Sequence, residues 1–320
     1  MNLSLFDSPA SFDKEALARR LRALADQGIF VGTSSWKYDG WIDQIYTRGR
    51  YLSRGKFSQK TFEAECLAEF AETFPIVCGD FSFYQFPTAE FWRKLFTGAP
   101  GQLKFALKVP EEVTAEVFPR HPRYGPRAGR ANEQYLNADA FRTLFLELLE
   151  PYRLRIACLI FEFGTRGATA KEFVEQIVPF FEQLPENFRY AVEVRNREYL
   201  VEPYFDALRE HRAAHVFNAW TKMPPIGEQI AMPGAFTADF TVVRALLRAG
   251  RAYETAVAQF APYNKIQDEN PEGRKALREV IDRMLRERRM AYIFANNRFE
   301  GNAPETIRAV VGSHPDETPD

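Results

Sequence analysis

Eight short apolar runs recur along this chain, and between most of them the hydrophobic spacing changes to that of an amphipathic helix. The runs lie at 29–35, 76–84, 103–109, 156–163, 190–195, 214–220, 240–247 and 291–297. Helical periods occupy 58–73, 138–150, 169–183, 201–211 and 273–289. Strands that alternate with helices pair in parallel through βαβ crossovers. Runs that are apolar throughout, rather than at every second position, fit strands covered on both faces. Eight such units close naturally into a (β/α)8 barrel of the TIM type. A helical period at about 12–27 predicts one extra helix before the first strand. The stretch 221–239 holds a proline pair, a third proline and no helical period, so one crossover is expected to be irregular. A doubly wound open sheet would carry a glycine-rich phosphate turn after its first strand, and "GTSSW" is not that turn. The expected organisation is an N-terminal extension and helix at 1–28, one barrel domain at 29–312, and a disordered acidic tail at 313–320.

Composition narrows the function classes. The net charge of −1 advertises no nucleic-acid or membrane partner for the molecule as a whole. No run of about 18 apolar residues suggests a membrane span, and the N-terminal stretch lacks a basic segment followed by a long apolar one, so no signal peptide is expected. Three cysteines without metal-type spacing read as buried thiols in a reducing compartment, and a cytoplasmic location is expected. The 29 Phe and 13 Tyr can fill a large core.

In a barrel of this type, chemistry gathers at the C-terminal ends of the strands. Those ends carry Ser34, Ser35 and Trp36, then Asp80 and Tyr84, Lys108, Glu162, Glu193 and Arg195, Asn218 and Trp220, Arg244, and Asn296 with Asn297. Several interrupt strongly apolar context, as Lys108 does in "FALKVP" and Arg244 in "TVVRALL". A buried charge without a partner is costly, so these groups must be paired or must face a wet pocket. Asp80, Glu162 and Glu193 are the candidate acid/base carboxylates of a hydrolase-like reaction. Trp36, Tyr84, Lys108, Arg195, Arg244, Asn296 and Asn297 are the candidate ligand-binding residues. The competing reading is a structural ion-pair network that plugs the mouth. None of the four histidines falls at a C-terminal strand end, so no metal or other cofactor is expected. An oxygen-ligated Mg2+ on Asp80, Glu162 and Glu193 is the alternative.

Charge is also segregated. Residues 44–62 carry Arg48, Arg50, Arg54, Lys56 and Lys60, and residues 117–132 carry Arg120, Arg123, Arg127 and Arg130, with no acid in either stretch. Tyr46, Tyr51 and Tyr124 are interleaved with them. If both loops overhang the mouth, they suit phosphate and stacked planar groups. Two solvated surface loops are the plain alternative.

The chain resembles the YecE-like family (domain of unknown function 72), a family of TIM barrels. "GTSSWKYDGW" at 32–41 is similar to its opening motif, "FSFYQFP" at 81–87 to its second-strand segment, and "FANNRFEGNAP" at 294–304 to its closing motif. "FALKVP" and "VEVR" fall where that family has its third and fifth strands. The resemblance implies a TIM barrel over about 29–310 and no particular reaction. Departures occur at Cys78 and Asp80, at Asn196, and after Arg244. Three expectations follow for function: a protein binding or acting on an anionic, phosphate-containing small molecule; a nucleic-acid-binding barrel with little catalysis; or a catalytically inactive structural or adaptor protein. Oligomeric state is not legible.

Overall fold

The computed structural model describes residues 12–312. Eight parallel strands form a closed barrel: β1 (Ile29–Thr33), β2 (Ile76–Gly79), β3 (Lys104–Lys108), β4 (Ile156–Phe163), β5 (Tyr190–Val194), β6 (Ala214–Ala219), β7 (Phe240–Ala245) and β8 (Met290–Ala295). Each strand pairs with its sequence neighbours, and β8 closes the ring on β1. All eight expected runs are strands of this barrel. No helix among the described residues is long and apolar enough to cross a membrane. The expected disorder of 313–320, and the first eleven residues of the extension, lie outside the described residues.

Side-chain alternation along each strand divides the core in two. Ile29, Val31, Phe161, Val192, Val243 and Ile293 face outward into the layer shared with the helices. Cys78, Ala106, Ile160, Ala191, Val216, Val242 and Phe294 face inward and fill the barrel with mostly small side chains. Continuing the inward series toward the C-terminal ends brings it to Asp80, Lys108, Glu162, Glu193, Asn218, Arg244 and Asn296. The strand period itself therefore aims the polar set at one end of the barrel axis.

The extra helix, Lys14–Asp26, starts at an Asp13 side chain that accepts the Ala16 amide, and it buries Leu17, Leu21 and Leu24. Thr169 and Glu172 form a capping box at the head of Ala170–Phe181. Asn270 caps Pro271–Glu287, whose proline occupies a position where no amide donor is needed. The period at 138–150 is not one regular helix. It runs as Ala138–Phe141, a π-helical turn at Arg142–Leu146 and Glu147–Leu149, and Pro151 prevents its α-helical continuation. The crossover at 221–239 contains only the short helix Ile226–Ala231.

The second run is shorter than its apolar stretch. Its strand ends at Gly79, where a Cβ would come to 2.2 Å from the Phe81 ring. Glycine lets Phe81 fold back over the strand end, so Asp80 to Tyr84 form a turn. Tyr84 is consequently a loop residue, 46% exposed, and not a strand-end residue. Gly32 has a comparable role in β1, because a Cβ there would lie 1.9 Å from the Ile76 carbonyl oxygen.

Candidate functional site

At the C-terminal ends of the strands, three cations and three carboxylates interlock. Lys108 lies 3.0 Å from Glu162 and 3.7 Å from Asp80. Arg195 lies 3.0 Å from Glu162 and 2.5 Å from Glu193. Arg244 reaches Glu162 at 2.8 Å, Asp80 at 3.5 Å and also Glu193. The β-ladder sets this up: Glu162 on β4 is in register with Glu193 on β5, and Asn218 on β6 with Arg244 on β7. Asn218 accepts from the Arg195 guanidinium at 3.1 Å and donates to the Val194 and Val216 carbonyls. Aromatic faces complete the cation shells, with Lys108 3.5 Å from the Phe83 ring centre and Arg195 4.1 Å from that of Trp220.

Burial sharpens these pairings. Glu193 is fully buried and Arg244 is 2% exposed, whereas the Asp80 side chain is 43% exposed. Burial pushes the Glu162 carboxyl up, but Arg195, Lys108 and Arg244 outweigh it and hold the group well below the usual carboxylate range. Burial pushes Lys108 down, and Glu162 with Asp80 more than reverses that. Burial likewise opposes the charge on Arg244, while Glu193 leads the groups that restore it. Burial raises the Cys78 thiol to about 12, which leaves it protonated and inert at neutral pH.

Beside this network lies a cavity of about 280 Å³. Its polar lining includes Ser34, Ser35, Lys37, Asp80, Asn296 and Arg298. Ser34 is buried and its hydroxyl has no hydrogen-bond partner. The Arg298 guanidinium lies 4.5 Å from the Tyr253 ring centre, and its Nε is likewise unpartnered. The expected residues therefore divide. Asp80, Glu162, Glu193, Lys108, Arg195 and Arg244 meet in one cluster, Trp36 and Asn296 line the cavity with Asp80, and Tyr84 stands apart in its loop.

The two consecutive asparagines part company. Asn296 accepts from the Arg298 amide at 2.9 Å and faces the mouth. Asn297, one residue on, points the other way, so its expected projection into the mouth is not found. Its side-chain oxygen accepts from Trp41 Nε1 at 3.1 Å and from the Ala303 amide at 2.8 Å. It thereby ties the loop after β1 to the loop after β8.

The basic loops also depart from expectation. Tyr46 and Tyr51 are each 1% exposed and Tyr124 is buried, so none offers a stacking face. The first loop is clamped to the helix Gln59–Thr73. Glu69 accepts from the Thr47 amide, the Thr47 hydroxyl and, at 2.6 Å, the Tyr51 hydroxyl, while Arg50 lies 2.6 Å from Glu72. In the other loop Arg127 pairs with Glu112 at 3.3 Å and Arg123 covers Tyr84 at 4.5 Å. Among the described residues no group of three or more His, Cys, Asp or Glu side chains is placed to hold a metal ion. The three mouth carboxylates suggested for Mg2+ are turned toward Lys108, Arg195 and Arg244.

Glu111 was not among the candidates. Its amide donates to the Phe83 carbonyl at 2.6 Å and its carboxylate accepts from the Tyr124 hydroxyl. Burial raises its pKa to about 7, against the pull of Lys108 and Arg123. The acid pair that follows "LKVP" was the available signal, three residues beyond the strand-end lysine.

A closed parallel barrel with a polar mouth defines a TIM-barrel protein. The sequence profile described as "Protein of unknown function DUF72" matches residues 30–316, and the chain belongs to that family. A DUF72 family protein from Enterococcus faecalis V583 is similar at 20% identity over 91% of this chain and 98% of its own, with a TM-score of 0.62. A second structure of the Enterococcus protein gives 17% identity over 88% and 95%, with a TM-score of 0.60. A DUF72 family protein from Thermotoga maritima MSB8 gives 20% identity over 88% and 97%, with a TM-score of 0.57. These likenesses establish a shared fold. No curated protein matches.

The network predicts a non-additive cycle. Arg244→Met leaves the fully buried Glu193 with Arg195 alone and should destabilise by about 3–5 kcal/mol in urea denaturation. Adding Glu193→Leu should recover part of that loss, and additive losses would show that the two residues are not coupled. Glu111 supplies a pH prediction. Its folded pKa of about 7 lies above the unfolded value of about 4.3. Its contribution to stability is complete below the unfolded value and is lost as pH rises through 7. Glu111→Gln should therefore remove part of the decline in stability between about pH 5 and pH 7, and an unchanged profile would refute the assignment.

Proposed function

We propose that this protein binds a small anionic, phosphate-like ligand in the cavity beside the ion-pair network. One observation carries the reading: a buried Ser34 hydroxyl without a partner lines a cavity whose lining holds Lys37 and Arg298 with a single acid, Asp80. An unpartnered buried donor is costly, and a ligand oxygen would satisfy it. Arg298 offers a charge-assisted contact and Asn296 an amide.

The carboxylates take separate roles in this reading. Glu162 and Glu193 position Lys108, Arg195 and Arg244. Asp80 is the one of the three that lines the cavity, and its cation distances of 3.5 and 3.7 Å are the longest in the network. Any hydrolase-like acid/base step would therefore use Asp80 on the ligand side. The nucleic-acid reading loses support because the interleaved tyrosines are buried. The structural or adaptor reading draws on the mutual neutralisation of the six mouth charges.

Calorimetric titration with inorganic phosphate at low ionic strength separates these readings. The wild type should bind, Arg298→Gln should weaken binding about tenfold or more, and the distant Arg123→Gln should not. Absence of phosphate binding by the wild type would favour the adaptor reading, and an unchanged affinity in Arg298→Gln would remove the cavity from consideration.

A further inference from the structure

The cavity is aromatic as well as cationic. Four of its eleven lining residues are rings: Trp36, Tyr38, Phe81 and Tyr253. Trp36 and Phe81 meet edge to face, with centroids 5.8 Å apart and planes at 75°. The cations stand against rings of the lining, Arg298 at 4.5 Å from the Tyr253 centroid and Lys37 at 5.8 Å from that of Trp36. Tyr253 is 41% exposed, which leaves a ring surface at the entrance free to meet a ligand.

We infer that the ligand is an aryl anion: one aromatic ring bearing a phosphate or carboxylate group. The inference rests on the anion-binding reading above and adds the chemistry of the rest of the ligand. Trp36 and Phe81, with planes at 75°, favour an edge-to-face or offset aromatic partner over an aliphatic one of similar size. Lys37 and Arg298 disfavour a cationic occupant, which an aromatic cage alone would accept. Size limits the ligand. A volume of about 280 Å³ lies just below the range of cavities that hold drug-sized molecules, so it suits one ring and one anionic group. The anion would meet Arg298 and the Ser34 hydroxyl, and the ring would lie among Trp36, Phe81 and Tyr253.

Calorimetric titrations with inorganic phosphate, cyclohexyl phosphate, phenyl phosphate and adenosine monophosphate test this directly. Phenyl phosphate should bind about tenfold more tightly than inorganic phosphate, with cyclohexyl phosphate between them. Tyr253→Leu alters an exposed side chain, so the fold should survive. It should bring phenyl phosphate down to the cyclohexyl level, read as the ratio of phenyl to inorganic phosphate affinity, because Arg298 rests on the same ring and both ligands meet it. Equal affinity for phenyl and inorganic phosphate would overturn the aryl inference while leaving anion binding intact. So would a phenyl preference that survives both Tyr253→Leu and Phe81→Leu. Tighter binding of adenosine monophosphate than of phenyl phosphate would overturn the single-ring limit. Failure of every probe, inorganic phosphate included, would overturn the anion reading and this inference together.

Discussion

Mutual neutralisation of six charges at the barrel mouth is the interaction on which the rest of this structure depends. The barrel interior below it is filled by small apolar groups such as Cys78, Ala106, Ala191 and Val216. Such a core has nothing with which to solvate Arg244 or Glu193, so each must find its partner within the layer. Arg244 reaches from β7 to carboxylates carried on β4, on β5 and in the turn after β2. Removing these charges from water is costly, and the pairing returns that cost only when every partner is present. The layer therefore fixes which strands face one another across the axis. A strand slipped by one residue would turn its charge outward into the apolar helix layer.

That neutrality has a consequence for ligand binding. Three cations matched by three carboxylates leave no free charge at the centre of the mouth. The uncompensated groups lie to one side, where Lys37, Arg298 and the Ser34 hydroxyl surround the cavity between the ends of β1, β2 and β8. In the proposed reading the central arginines are framework, and ligand recognition would fall to the residues that line this lateral cavity. Asn297 links those same loops by accepting from Trp41, 256 positions away in the chain. The opening and closing motifs thus form one structural unit around the cavity.

Much of this was legible in the sequence. The eight apolar runs mark the strands because both faces of a barrel strand are buried, and polar residues breaking those runs mark the mouth. The inward alternation is also written in the chain, since Lys108, Glu162, Glu193 and Arg244 each follow an inward apolar residue by two positions. What was not legible depends on contacts distant in sequence. Arg50 and Tyr51 read as parts of a basic loop, and only the fold brings Glu69 and Glu72 against them. Tyr84 read as a strand end because the apolar run continues past Gly79, yet the backfolded Phe81 turns the chain. Glu111 gave no strand-end signal, and its elevated pKa arises from burial that only the packed loop creates. The adjacent asparagines had one apparent role and have two, because neighbouring positions face opposite sides.

The most direct measurement is anomalous diffraction from crystals of the full chain soaked in tungstate, a heavy tetrahedral oxyanion. A peak should appear between the Ser34 hydroxyl and the Arg298 guanidinium, with Lys108, Arg195 and Arg244 still paired to Asp80, Glu162 and Glu193. A peak centred on Lys108, Arg195 and Arg244 with their carboxylates displaced, or no peak at the mouth at all, would contradict the division between a neutral framework and a lateral anion site.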